Sequence, residues 1–186
     1  MILTLAYCGL RWGEAIALRV RDVEFLRRRL TVHDNAVQLG VEHVEGLTKS
    51  RKQRAVPVPE FVLSELSLRC AGKNLDDLVF PGPNGEYLPR PKSVGGWFVG
   101  AVKRAGVQKI TPHDLRHSCA SLSISAGVNV MVLARMLGHD DPSVTLRVYS
   151  DLFDEDLDRA ADRMHKAYSG NCGQIVGKET LIATAG

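Results

Sequence analysis

Three segments gather chemically capable side chains inside otherwise apolar stretches. They are Cys8-Gly9-Leu10-Arg11-Trp12-Gly13-Glu14, Thr111-Pro112-His113-Asp114-Leu115-Arg116-His117, and a stretch from Leu137-Gly138-His139 through Asp140-Asp141-Pro142 to Tyr149. His113 and Arg116 are three apart, so a helix beginning at Pro112 presents both on one face of its first turns. A helix N-terminus favours anions, and a guanidinium fork beside an imidazole there makes a cradle for phosphate or carboxylate. The competing reading is a capping histidine and an ion-paired arginine. Arg11 sits at a helix break and by itself reads as a surface arginine with a buried stem. Asp114 complements the helix dipole, and His117 is read as lying away from His113 with a structural role. Asp140-Asp141 precedes Pro142, which suits capping of the next helix better than holding Mg²⁺. Tyr149 in isolation is an ordinary core-edge residue.

The elements that must position these groups follow from periodicity and punctuation. Residues 1–18 predict two helices broken at Gly9. The chain opens inside the first of them with no Ser, Thr, Asp or Asn before it, which leads us to expect clipped upstream residues. Residues 23–26 and 30–33 predict a hairpin around Arg27-Arg28-Arg29, and 44–48 and 54–58 a second with its tip at 49–53. Helices are expected over 59–70, 94–105, 111–126, 130–137, 142–149 and 151–168, the last with Leu152, Leu157, Ala160, Ala161 and Met164 inward. Thr111 as cap, Pro112 at the first helical position and Gly138 as terminator are the firmest local signals. The expected class is α+β, mostly α, with a small antiparallel sheet near the N-terminal side.

The 186 residues carry 24 Lys and Arg against 21 Asp and Glu, and 45% are hydrophobic. That is ordinary globular composition, which excludes a disordered tail, a collagen-like chain and a disulfide-stapled miniprotein. No apolar run approaches the roughly 20 residues that span a bilayer, and the opening lacks a basic leader. Cys8, Cys70, Cys119 and Cys172 form no CxxC pair, so free thiols in a reducing cytoplasm are expected. Residues 1–149 hold 20 basic against 14 acidic side chains, an excess of +6, while residues 150–186 hold 4 against 7. A basic body suits a polyanion, although many metabolic enzymes are as basic.

The motifs GLRWGE, TKSRKQRAVPVP, HDLRH and LGHDDPSVTLRVYS, in that order over residues 9–150, together resemble the catalytic boxes of the tyrosine recombinase (phage integrase) family. The resemblance implies roles position by position. Arg11 and Arg116 are the two catalytic arginines, Lys49 the lysine at a hairpin tip, His113 the histidine of the H-x-x-R box, and His139 the later active-site histidine. Tyr149 is the nucleophile, and Glu14 buttresses an arginine rather than reacting. The implied activity is site-specific recombination through a covalent 3′-phosphotyrosine, with no cofactor and no metal. The implied partners are double-stranded DNA and, for the full-length protein on DNA, three further copies in a homotetramer, the isolated chain being monomeric.

Residues 1–168 are expected to form the catalytic domain, without the DNA-binding domains that relatives carry ahead of it. Residues 169–186 form a tail, either disordered or docking onto a neighbouring copy. Phosphate contacts are expected from Arg27, Arg28, Arg29, Arg51, Lys52 and Arg54. Two alternatives stand beside this one: a truncated non-catalytic DNA-binding remnant, and a type IB topoisomerase with the same chemistry.

Overall fold

A computed structural model of the chain describes residues 1–40, 42–47, 53–92, 94–154 and 156–169. They divide into two compact units, Met1–Val148 and the segment beginning at Tyr149. The expected class holds: the chain is mostly helical with short antiparallel strands.

In the first unit, helix α1 (Ile2–Cys8) ends at Gly9, whose φ of 66° is left-handed. A Cβ there would lie 2.8 Å from Leu137 Cδ2 and 3.0 Å from Cys119 Sγ. Only glycine allows both the backbone turn and that approach. Helix α2 (Trp12–Ala17) follows. A Cβ on Gly13 would fall 2.2 Å from Asn35 Oδ1 and 2.6 Å from the Ala36 carbonyl. The missing side chain thus sets how closely α2 lies on the strand carrying Asn35.

Strands β1 (Val23–Glu24), β2 (Arg29–Val32) and β5 (Arg54–Pro57) form one sheet in the order β1-β2-β5, with Leu30 opposite Val56. Strands β3 (Asp34–Leu39) and β4 (Glu42–Leu47) pair separately. The first expected hairpin is therefore present in shortened form. The second is not. β4 and β5 have different partners, and an additional strand, β3, supplies the one for β4. Lys49, Arg51 and Lys52, placed by sequence at that hairpin's tip, lie outside the described residues.

The core joins both layers. Leu5, Cys8 and Leu10 meet Leu30, Val32, Val56 and Val58 from the sheet side and Val62 and Leu66 of α3 (Glu60–Cys70). Helix α4 (Trp97–Ala105) begins three residues later than expected, because Gly95 and Gly96 precede it. Helix α5 (Pro112–Ser125) starts at a reciprocal cap: the Thr111 N–H donates to Asp114 Oδ2 at 2.8 Å and the Asp114 N–H to Thr111 Oγ1 at 3.3 Å. Helix α6 (Val130–Leu137) buries Leu133, Ala134, Met136 and Leu137 and stops at Gly138. The Asp141 carboxylate accepts the Ser143 N–H at 2.8 Å at the start of α7 (Pro142–Asp154), the capping role expected for this acidic pair.

Helix α7 is interrupted at Tyr149, whose φ of −124° and ψ of 19° are not helical. The first unit ends and the second begins at this residue. The second unit continues with α8 (Asp156–Tyr168). Ala160, Ala161 and Met164, expected inward, are exposed, and the side chains of Leu152 and Leu157, expected inward with them, lie outside what the structure describes. The tail from residue 170 lies outside the described residues. Among the described residues no helix is long and apolar enough to cross a membrane.

Candidate active site

Arg11 is the N-cap residue of α2, and Glu14, three residues on, reaches back to it. The Arg11 N–H donates to Glu14 Oε2 at 2.8 Å and Arg11 Nη1 to Oε1 at 2.9 Å. Glu14 is only 2% exposed. Its other ligand is Arg54, which donates Nη1 to Oε1 at 2.9 Å and Nη2 to Oε2 at 2.7 Å. Burial alone would raise the Glu14 carboxyl. The hydrogen bonds and charge of Arg54, joined by those of Arg11, outweigh it and hold the group below its ordinary value. Glu14 is thus a fixed anion between two arginines, the supporting role expected for it. Arg54, expected on DNA phosphates, is instead committed inward. It lies on β5 at the same parity as buried Val56 and Val58, so the strand turns it toward the core.

Arg116 lies one turn into α5, on the face that packs inward, and is 5% exposed. It donates Nη1 to the Gly9 carbonyl and Nη2 to the Leu137 carbonyl. Both acceptors sit at helix ends, where carbonyls lack intrahelical partners. The same Nη2 stands 3.3 Å from His139 Nε2, and His139 Nδ1 is 2.8 Å from the hydroxyl of Thr145, which is fully buried. A guanidinium only donates, so Nε2 accepts and the ring proton belongs on Nδ1, facing Thr145. That tautomer is assigned from the hydrogen-bond network. Burial, then the charges of Arg116, Arg11 and Arg54, lower the His139 pKa and keep the ring neutral.

His113 is exposed at the mouth of the site, and its pKa is lowered by burial and then by His117 and Arg116. His117 does not lie away from it. The two rings are 4.8 Å apart and edge-on, as four-residue spacing on a helix requires. Arg11, Trp12, His113 and Arg116, with Asn35 and Gln38, line a cleft of about 310 Å³.

The structure therefore brings together Arg11, Glu14, His113, Arg116 and His139. Lys49 lies outside the described residues, and Tyr149 belongs to the second unit. Sequence reasoning missed Arg54 and Thr145. The alternation Arg54, Val56, Val58 carried a signal for the first, whereas nothing local singled out the second. Among the described residues no three His, Cys, Asp or Glu side chains are grouped to share a metal ion. Arginines beside neutral imidazoles make a site for a tetrahedral anion whose charge grows during reaction.

This arrangement predicts a visible difference between two histidines. His33 is clasped by Asp22 at 2.9 Å and Asp34 at 2.8 Å. Burial pulls its pKa down, but the two carboxylates more than offset that and raise it. In a ¹⁵N-resolved NMR titration, His139 should protonate below the usual imidazole value of about 6.5 and His33 above it. Inversion of that order would show that Arg116, Arg11 and Arg54 do not act on His139.

The sequence profile of the phage integrase family matches residues 1–156. The chain belongs to the phage integrase family. A tyrosine recombinase of Thermosipho africanus is 36% identical over 142 residues, covering 76% of this chain and 45% of that protein. Tyrosine recombinase XerA of Pyrococcus furiosus is 29% identical over 168 residues, covering 88% and 53%. The chain spans about half the length of these curated relatives. Among solved structures, the Tn1549 transposon integrase in complex with transposon right end DNA superposes with a TM-score of 0.69 at 24% identity, covering 86% of this chain and 57% of that one. The catalytic domain of bacteriophage HP1 integrase gives 0.59 at 24% identity, covering 90% and 82%. These likenesses concern the fold.

Proposed function

We propose that this chain is the catalytic portion of a site-specific DNA recombinase that cleaves and rejoins strands through a 3′-phosphotyrosine. The observation that carries the reading is the pair Arg11 and Arg116. Each is a candidate phosphate clamp, and both are moored at the C-terminal end of α6 beside a neutral His139.

In the proposed reaction, the Tyr149 oxygen attacks the scissile phosphorus while its proton passes to a base, with His113 or His139 as the candidates. The bond from phosphorus to the 5′ oxygen breaks, and Lys49 gives that oxygen a proton. Arg11 and Arg116 donate to the non-bridging oxygens as negative charge builds there, with planar forks that lysine lacks. A free phenol has a pKa near ~10, so attack at neutral pH needs such help. The covalent link conserves the phosphodiester's energy, and attack by a 5′ hydroxyl of another strand reverses each step.

Double-stranded DNA is the proposed substrate, held mainly through phosphates, with exposed Arg27, Arg28 and Arg29 as candidate contacts. We assign the homotetramer to the full-length protein on DNA, with the tail from residue 169 as a candidate contact between copies. The proposed compartment is the cytoplasm, which suits the buried free thiols Cys8, Cys70 and Cys119. Burial pushes the Cys8 thiol up to about 12, leaving it inert.

The test is capture of a covalent adduct on a nicked suicide duplex, read on a denaturing gel. With two arginines in the part of a divalent cation, the yield should be unchanged in EDTA. Abolition by chelation would reject this site. Relaxation of supercoiled plasmid lacking any recombination sequence would point instead to a type IB topoisomerase.

A further inference from the structure

The last three carbonyls at the C-terminal end of α6 each take a different arginine. Arg54 Nε donates to Met136 O at 2.9 Å, Arg116 Nη2 to Leu137 O, and Arg11 Nη2 to Gly138 O at 3.3 Å. Three cations thus converge on the negative end of one helix dipole. Two of them are the proposed phosphate clamps. The third is also held on every side: the Arg54 side chain is 11% exposed, and its remaining donors grip both oxygens of Glu14, which in turn holds Arg11.

We propose that Arg54 is a positioning residue that fixes the Arg11 guanidinium relative to that of Arg116. This inference rests on the recombinase reading and deepens it. Arg54 closes a ring: Met136 carbonyl, Arg54, Glu14, Arg11, Gly138 carbonyl. Arg116 is anchored within the same run of backbone, at Leu137. Without Arg54, Glu14 keeps its bonds to Arg11 but loses its tie to β5 and to Met136 O, leaving the 3.3 Å bond from Arg11 to Gly138 O to hold the pair to α6, so the Glu14–Arg11 pair can swing while Arg116 stays in place. Because catalysis uses both forks on one phosphate, a displacement near 1 Å costs rate on the order of 10²-fold. A lysine at position 54 keeps the charge. It cannot reach Met136 O and both Glu14 oxygens in one plane.

The experiment uses the full 186-residue chain, parent and Arg54→Lys, at a temperature where thermal melts show both folded. Single-turnover adduct formation is followed on a library of nicked duplexes of randomised sequence. Binding of inorganic vanadate, whose five-coordinate form resembles the phosphoryl transition state, is followed at the His113 and His139 NMR signals. The expected result is adduct formation at least 10-fold slower in Arg54→Lys at an unchanged half-saturating DNA concentration, with vanadate bound several-fold more weakly. A parent-like rate and parent-like vanadate affinity would overturn the proposal. So would a rate loss accompanied by an equal loss of DNA binding, or one that vanishes as the temperature is lowered further below the melt.

If the parent forms no adduct on any duplex, the recombinase reading fails and the vanadate comparison alone decides the role of Arg54. A parent that forms no adduct and also binds no vanadate ends both. Should Arg54→Lys not fold, Glu14→Gln loosens the same clasp while leaving Arg54 on Met136 O, and it is held to the same two readouts.

Discussion

Tyr149→Phe should bind DNA like the parent and form no covalent adduct at any time, pH or DNA concentration. The change removes a single oxygen, and it removes the only atom proposed to bond to phosphorus. Mutation of a supporting donor leaves residual turnover, because other donors still stabilise the charge; loss of one such donor typically costs 10²–10³-fold. Loss of the nucleophile leaves no covalent route. The backbone at 149 is already non-helical, and phenylalanine tolerates that conformation as tyrosine does. A gel-shift at low salt measures binding and a denaturing gel measures the adduct. An adduct that persists in Tyr149→Phe would move the nucleophile elsewhere. Parent adduct absent with binding retained would favour a non-catalytic DNA-binding remnant.

Glu14→Ala should be the most destabilising single change in the first unit. Glu14 is 2% exposed and is the carboxylate on which Arg11 and Arg54 converge. Replacing a buried pair with apolar groups can be neutral, but removing one partner strands the other charge, at about 3–5 kcal/mol. For a chain of this size that corresponds to a fall in Tm of roughly 6–20 °C. Glu14→Gln retains shape and some hydrogen bonding, so it should fall between. The pH dependence has a definite sign. The folded pKa of Glu14 is depressed, so its contribution is complete above the unfolded value of about 4.3. It is then lost as pH falls through the folded value. Urea titrations at pH 7 and pH 3.5 should therefore show the gap between parent and Glu14→Ala narrowing in acid. A gap that widens would mean the carboxyl is not held ionised by the arginines.

Most helix boundaries were legible because their signals are local. Gly9, the Thr111-Pro112 start and Gly138 each satisfy a backbone requirement within a few residues, and the structure uses them as expected. Strand pairing was not legible to the same degree. Alternation marks a strand but does not name its partner, and β5 finds β2 across the whole β3–β4 hairpin. The segment from Lys49 to Arg54 reads as a solvated run of charge. Only the parity shared by Arg54, Val56 and Val58 betrays that its last member faces inward. The three-residue spacing that pairs His113 with Arg116 does not reveal that His117, four residues on, shares the same face. Thr145 supports His139 through a fold-dependent contact that no spacing along the chain encodes.

The acceptors at the end of α6 are main-chain oxygens, not side chains. Mutation at 136 or 137 therefore exchanges the decoration around them but never deletes them, whereas at Gly138, whose φ is 65°, an added Cβ would stand 3.1 Å from the Arg54 guanidinium. Genetic drift in that stretch leaves the sockets for the three guanidiniums in place so long as the helix itself terminates there. The arrangement is buffered against sequence change at the first two acceptors and exposed to it at Gly138 and at the arginines themselves.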